Sequence, residues 1–253
     1  MLFSALRQRH VIPELMDEPG LDESLHGAAL AGLQRINRAS HAARIIAQPL
    51  AEMARDCGLK NLTLLDVACG GGDVPVAVAK LLQAQGLHVE LSLMDRSPTA
   101  LELAAKAAKQ AGVRARTTQG SAPDGLPPGQ FDAITCSLFM HHLQRPEVIE
   151  TLAHMRQRAQ RMIVISDLRR SAMGWALAWA GCRVLSRSAI VHHDGTASVR
   201  AAWTKTELAE MAREAGMHAT TDESELRVTA CWPWRMLLVW QRRGPVEGEG
   251  RRD

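Results

Sequence analysis

At 253 residues, 46% of them hydrophobic and 23% charged, the chain is long enough for one α/β domain with added segments and a normal buried core. Its formal net charge of +3 is small, and no dense basic block precedes the terminal Arg251-Arg252 pair, which argues against a nucleic-acid groove. Five widely spaced cysteines without C-x-x-C or metal-ligand spacing point to reduced thiols and to no metal centre.

Helical segments are expected before about residue 58, and strands alternate with helices after it. The expected strands are Leu62–Ala68, His88–Met94, Arg116–Gln119, Phe131–Ser137, Met162–Asp167, Ala219–Thr229 and Arg235–Gln241. The expected helices are Val74–Gln85, Ala100–Ala111, Pro146–Arg158 and Lys205–Ala215. Two of these helices carry clear start signals: Ser97-Pro98 supplies an N-cap and a first-turn proline, and Thr204 with Glu207 matches a capping box. The alternation predicts a mostly parallel sheet covered on both faces. The most apolar window, Ala172 to Val191, carries Arg183 and Arg187 and is no membrane span, and no signal peptide pattern opens the chain, so a cytoplasmic protein is expected.

The most informative segment is Asp66-Val67-Ala68-Cys69-Gly70-Gly71-Gly72-Asp73, an apolar strand running into three glycines. Glycine admits positive φ and lets a ligand approach the main chain, and the helix start behind it offers unpaired N–H groups. Asp73 is placed to cap that helix. A dinucleotide fingerprint would need a glycine where Pro75 stands, whereas Asp66, Ala68, Gly70 and Gly72 fit Asp-x-Ala-x-Gly-x-Gly.

On these residues the chain resembles the class I S-adenosylmethionine-dependent methyltransferases, in the small-molecule branch that includes quinone-biosynthesis and polyketide-tailoring enzymes. The likeness runs over roughly residues 60 to 170. It implies a three-layer Rossmann-like α/β fold, with a seven-stranded mostly parallel sheet containing one antiparallel strand, closed by a hairpin around Arg227 and Leu237. It implies S-adenosyl-L-methionine as methyl donor and S-adenosyl-L-homocysteine as product. Asp66, Ala68, Gly70 and Gly72 would form the glycine turn, and Asp95 at the end of the second strand would accept from both ribose hydroxyls, beside Arg96. Ser121 and Ala122 would lie against the adenine, with Ser121 standing where an acid is usual, and Ser137 and Leu138 would close the site from the fourth strand.

The resemblance leaves residues 1–57, read as helices covering the pocket, and an insert at 171–202 to form the acceptor side of a domain spanning 58–243, with 244–253 as a flexible tail. In the insert, Trp175, Trp179 and Cys182 recur at helical spacing, either as a cover for an aromatic or lipid-like acceptor or as ordinary helix packing. Arg35, Asn37 and Arg38 either reach the donor carboxylate or form a solvated face.

The chain contains no tyrosine, so proton handling falls to His, Asp and Glu. His142 and His193 are the candidate bases, with His141 as a capping or packing residue and Asp167 as a ligand contact or an ion-pair partner. The expected activity is methyl transfer to a phenolic or enolic oxygen of a small hydrophobic acceptor, of the secondary-metabolism kind. Carbon methylation of a quinol-like acceptor and a non-catalytic donor-binding sensor or partner module remain alternatives. No nucleic-acid partner is expected, and oligomeric state is open.

Overall fold

The computed structural model describes residue 6 and residues 8–17, 22–218 and 224–242. The expected tail at 244–253 and the first residues of the strand expected from Ala219 lie outside the described residues. Strand β1 (Asn61–Val67) puts Leu62 and Leu64 into one core and Leu65 and Val67 into another, so neither of its faces meets water. That double burial is characteristic of a central strand in a parallel sheet.

With β2 (His88–Asp95), β3 (Ala115–Gln119), β4 (Phe131–Ser137), β5 (Ala159–Leu168), β6 (Ser224–Cys231) and β7 (Arg235–Arg242) it forms a seven-stranded sheet. The strand order is β3-β2-β1-β4-β5-β7-β6. β7 runs antiparallel to β5 and β6, and the remaining pairings are parallel. The chain proceeds outward from β1 to β3 and returns to β4 on the other side of β1. Such a reversal opens a crevice at the strands' C-terminal ends, where ligands bind in open α/β sheets.

Helices α1 (Glu23–Ala39), α2 (Ala42–Asp56), α3 (Asp73–Gln83), α4 (Pro98–Gln110), α5 (Arg145–Arg158), α6 (Ala172–Leu185), α7 (Ala189–Ala201) and α8 (Lys205–Glu214) cover it. One layer is α2, α3 and α4, burying Ile46, Leu50, Leu82 and Ala104 on the side of Leu62 and Leu64. The other is α5 and α8, burying Leu152, Met155, Leu208 and Met211 on the side of Leu65 and Val67. A third cluster joins α1, α6 and α7 through Ile36, Ala178, Cys182 and Val191. It takes in Leu138 just past β4 and Leu168 at the end of β5, so it stands at the C-terminal edge of the sheet.

Several local signals act as the sequence suggests. Ser97 accepts from Ala100 N–H at 3.2 Å with Pro98 in the first turn of α4, and Thr204 and Glu207 form the capping box of α8. Asp73 does not cap α3. The N-cap is Gly72 in the left-handed region, at φ 77°, with no side-chain cap, and the Asp73 carboxylate instead accepts from Asn37 Nδ2 at 2.9 Å. The tryptophan stripe is split: Cys182 is buried and Trp175 packs beside it, while Trp179 is 45% exposed with Arg183 stacked on its ring. Among the described residues no helix is long and apolar enough to cross a membrane.

Candidate active site

The turn after β1 is built from left-handed residues: Ala68 at φ 55°, Gly70 at φ 52° and Gly72 at φ 77°. For alanine this conformation is strained, and such strain persists where the surroundings over-determine it. Gly70 and Gly72 have different reasons to lack a side chain. A Cβ on Gly70 would meet no protein atom within 4 Å, whereas one on Gly72 would stand 2.9 Å from Ala104 Cα. Gly70 therefore leaves room in the crevice, and Gly72 lets α4 pack closely on the turn.

Asp95 ties this turn to β2. Its Oδ2 accepts from Gly70 N–H and its Oδ1 from Ser97 N–H, each at 2.9 Å. A carboxylate has about four lone-pair positions, so both oxygens retain capacity for a ligand diol. The cleft above them has a volume of about 680 Å³ and is lined by Ala68, Gly70, Asp95, Arg96, Ser121, Ala122 and Leu138, together with His142. Leu138 is itself left-handed, at φ 56°, with its N–H held by Ser166 O at 2.9 Å. An open glycine turn, a carboxylate with spare lone pairs and a cleft extending to Ala122 fit an adenosyl donor.

Other residues expected in the site stand outside this lining. Asp66 is buried under the turn and accepts from Thr135 Oγ1 at 2.6 Å. Burial pushes its carboxyl up to about 7; the Thr135 bond opposes the rise, and the Asp73 and Asp95 charges add to it. Gly72 serves helix packing. Ser137 faces the guanidinium of Arg235, Oγ to Nη1 3.5 Å. His193 is exposed on α7 and bonds Asp194 Oδ1 at 2.9 Å, away from the cleft lining.

Of the N-terminal polar residues, Asn37 links two charged groups. Its Nδ2 donates to Asp73 and its Oδ1 accepts from Arg235 Nη2 at 2.7 Å. Arg35 donates to Leu185 O at 2.7 Å, and Arg38 is exposed. Arg235 is 1% exposed, and burial lowers its pKa to about 10. Sequence alone offered no sign of it, since a single arginine in an apolar strand has no local pattern.

Beside His142 in the cleft lining, the chain before α1 crosses the turn after β4. Arg9 donates through Nη2 to His141 O and Leu143 O, both at 2.8 Å, and through Nε to Ala201 O at 2.6 Å; its guanidinium lies 4.0 Å from the ring centroid of Trp203. Leu15 and Met16 N–H groups bond Asp194, at 2.9 and 3.0 Å. Glu14 thereby reaches the histidine pair, with Oε1 3.6 Å from His141 Nε2 and 4.0 Å from His142 Nε2.

Behind them, His141 Nδ1 and Asp167 Oδ1 are 2.7 Å apart, and Asp167 Oδ2 accepts from His141 N–H at 3.1 Å. Asp167 is thus a buried partner of His141. Burial by itself lowers the His141 pKa, but Asp167 and Glu14 outweigh it and hold it up at about 10. Burial likewise opposes ionisation of Glu14, and His141, His142 and Ser198 overcome it, bringing that carboxyl down to about 2. Sequence spacing could not find Glu14, which lies far from both histidines along the chain.

A methyltransferase domain family model matches residues 64–161. The ubiquinone biosynthesis O-methyltransferase of Xylella fastidiosa strain 9a5c is 29% identical over 180 residues, covering 70% of this chain and 68% of that one. The ubiquinone biosynthesis O-methyltransferase of Thiobacillus denitrificans is 31% identical over 165 residues, covering 63% and 66%. The fold is also that of the plantazolicin methyltransferase BpumL in complex with a monoazolic desmethylPZN analog and SAH, with TM-score 0.61, 13% identity and coverage of 88% and 98%. Magnesium protoporphyrin IX methyltransferase from Synechocystis PCC 6803, with bound SAM, gives TM-score 0.53 at 13% identity, covering 90% and 88%. With the glycine turn, Asp95 and the strand order in hand, the chain is a class I S-adenosylmethionine-dependent methyltransferase, and S-adenosylmethionine is its methyl donor.

Proposed function

We propose that the enzyme methylates a phenolic or enolic oxygen of a small apolar acceptor, with His142 taking the hydroxyl proton. The observation that carries this is that His142 lines the same cleft as Asp95, whose wall also includes the apolar side chains of Met16, Leu30, Phe139 and Leu143. Matching relatives bearing the name ubiquinone biosynthesis O-methyltransferase support an oxygen acceptor.

The donor brings an already activated methyl group on its sulfonium. The protein's task is then to hold acceptor oxygen and methyl carbon in line and to remove a proton from a hydroxyl whose free pKa is about 10. Ala68, Gly70, Asp95 and Arg96 would hold the donor, with Ser121 and Ala122 beside the adenine and Leu138 below it. Asp66 and Gly72 would support the turn from beneath, and Ser137 would act through Arg235. His142, 4.0 Å from Glu14 through Nε2, would pass through an imidazolium that the carboxylate stabilises. His193 has no part in this assignment. The segment before α1 and the α6–α7 pair would shape the acceptor end.

Incubation with isotopically labelled donor and a panel of phenols, quinols, enols and amines tests the proposal, with NMR of the product separating O-methyl from C-methyl. His142→Ala is expected to lower kcat about 10²–10⁴-fold with donor affinity retained. Full turnover in that variant removes the base assignment, and donor binding without transfer to any acceptor removes the enzymatic proposal.

A further inference from the structure

We propose that Glu14 Oε1, His141 Nε2 and His142 Nε2 form a binding site for a divalent first-row cation of the zinc class, opening onto the acceptor end of the cleft. The ligating atoms offered by these three residues all lie within 4.8 Å of one another. Glu14 stands 3.6 and 4.0 Å from the two imidazole nitrogens, at ion-pair distance. Two ligands on one ion with bonds of about 2.1 Å lie roughly 3.0–3.4 Å apart. Movements of about 0.2–0.6 Å for Glu14, and of up to about 1.4 Å between the two imidazoles, would bring the three to a common centre.

The supporting groups are those of a metal site. Asp167 takes the Nδ1 side of His141 at 2.7 Å and leaves Nε2 directed at Glu14, the carboxylate–histidine arrangement that orients metal-bound imidazoles; the cation displaces to solvent the Nε2 proton that the two carboxylates otherwise hold on His141. Ser198 Oγ bonds Glu14 Oε1 and fixes the place of that carboxylate. His141 is 3% exposed, while His142 is 34% exposed and borders the cleft. Two imidazoles and one carboxylate suit zinc, iron(II) and neighbouring ions, and three protein ligands leave a position open.

The role of the ion rests on the hydroxyl acceptor proposed above. The acceptor oxygen takes the open position, its proton leaves to solvent, and an oxygen lone pair forms the O–C bond as the S–C bond breaks with its electron pair going to sulfur. In the metal-loaded enzyme this Lewis-acid step takes the place of base removal by His142.

The test uses the full chain after chelator treatment, titrated with CoCl₂ for visible absorption bands of bound cobalt and with ZnCl₂ by calorimetry. One equivalent is expected to bind, with affinity at least about 100-fold lower in Glu14→Gln and roughly 10–100-fold lower in Asp167→Asn. S-adenosylhomocysteine binding and far-UV circular dichroism check that each variant is folded, and His142→Gln serves where Glu14→Gln is not. Absence of saturable binding to the wild-type chain, or unchanged affinity in a folded Glu14→Gln or His142→Gln variant, overturns the site. Phenol methylation by a chain that binds no cation overturns it while leaving the methylation proposal standing; stoichiometric cation binding with no acceptor methylated does the reverse.

Discussion

Two acidic residues at the donor turn illustrate how neighbours divide similar side chains between tasks. Asp95 is half-buried and binds two backbone N–H groups, which fixes its oxygens where the proposed donor's diol would meet them. Asp95→Ala should weaken donor binding by about two orders of magnitude, roughly 3 kcal/mol; calorimetry giving an unchanged Kd would contradict the assignment. Asp66 is sealed under the turn, and burial, opposed by Thr135, lifts its carboxyl from 3.8 to about 7. Because the folded value lies above the unfolded one, its contribution to stability is complete below about pH 4. It is lost as pH rises toward 7, by roughly 4 kcal/mol at most. Asp66→Asn, which keeps an acceptor for Thr135, should flatten the melting temperature over that range; a wild-type-like slope in the variant would show that Asp66 is not its source.

Among the elements, the segment before α1 brings Glu14 to the histidine pair and Met16 to the cleft lining. Arg9 anchors it with three backbone carbonyls and the face of Trp203. Arg9→Ala should cost about 2 kcal/mol of stability and raise the acceptor KM, while donor affinity stays as in the wild type, because its contacts go to the turn after β4, Ala201 and Trp203 and not to Asp95. Chemical denaturation and steady-state kinetics separate these effects; an unchanged acceptor KM would mean that the segment does not shape the acceptor site. The expected insert at 171–202 forms two helices, α6 and α7, that bury Cys182 and Val191 against α1. Helical spacing is visible there in the sequence, but not which face meets α1. Trp179, equivalent to Trp175 in sequence pattern, stands on the outside.

For the molecule as a whole, with the cleft as the proposed donor site, donor binding and stability should be linked through the sheet's C-terminal edge, where the turn, Asp95 and Leu138 meet. A ligand present at 100 times its Kd adds about 2.7 kcal/mol to the folded state. S-adenosylhomocysteine at that level should therefore raise the melting temperature by roughly 5–10 °C. The rise should grow with the logarithm of ligand concentration and shrink in Asp95→Ala. A melting temperature independent of ligand would be incompatible with the cleft as donor site.

Much of this was legible in the chain. The apolar runs of β1 and β4, the glycine turn from Ala68 to Gly72, the Ser97 cap and the Thr204–Glu207 box depend on interactions within a few residues, so local pattern carries them. Resemblance supplied the mostly parallel seven-stranded sheet and the ribose acid, and the sheet has that form. What spacing could not reveal depends on groups brought together from distant parts of the chain. Glu14 meets His141 and Asp167 backs it, Asn37 bridges Asp73 to a buried Arg235, and His193 turns toward Asp194. The amino-acid sequence by itself determined the glycine turn and the strand ends beside it, because glycine conformations and strand ends are local. Only the tertiary structure decided the cluster of Glu14, His141, His142 and Asp167, because its charges are positioned by packing between segments that carry no shared period.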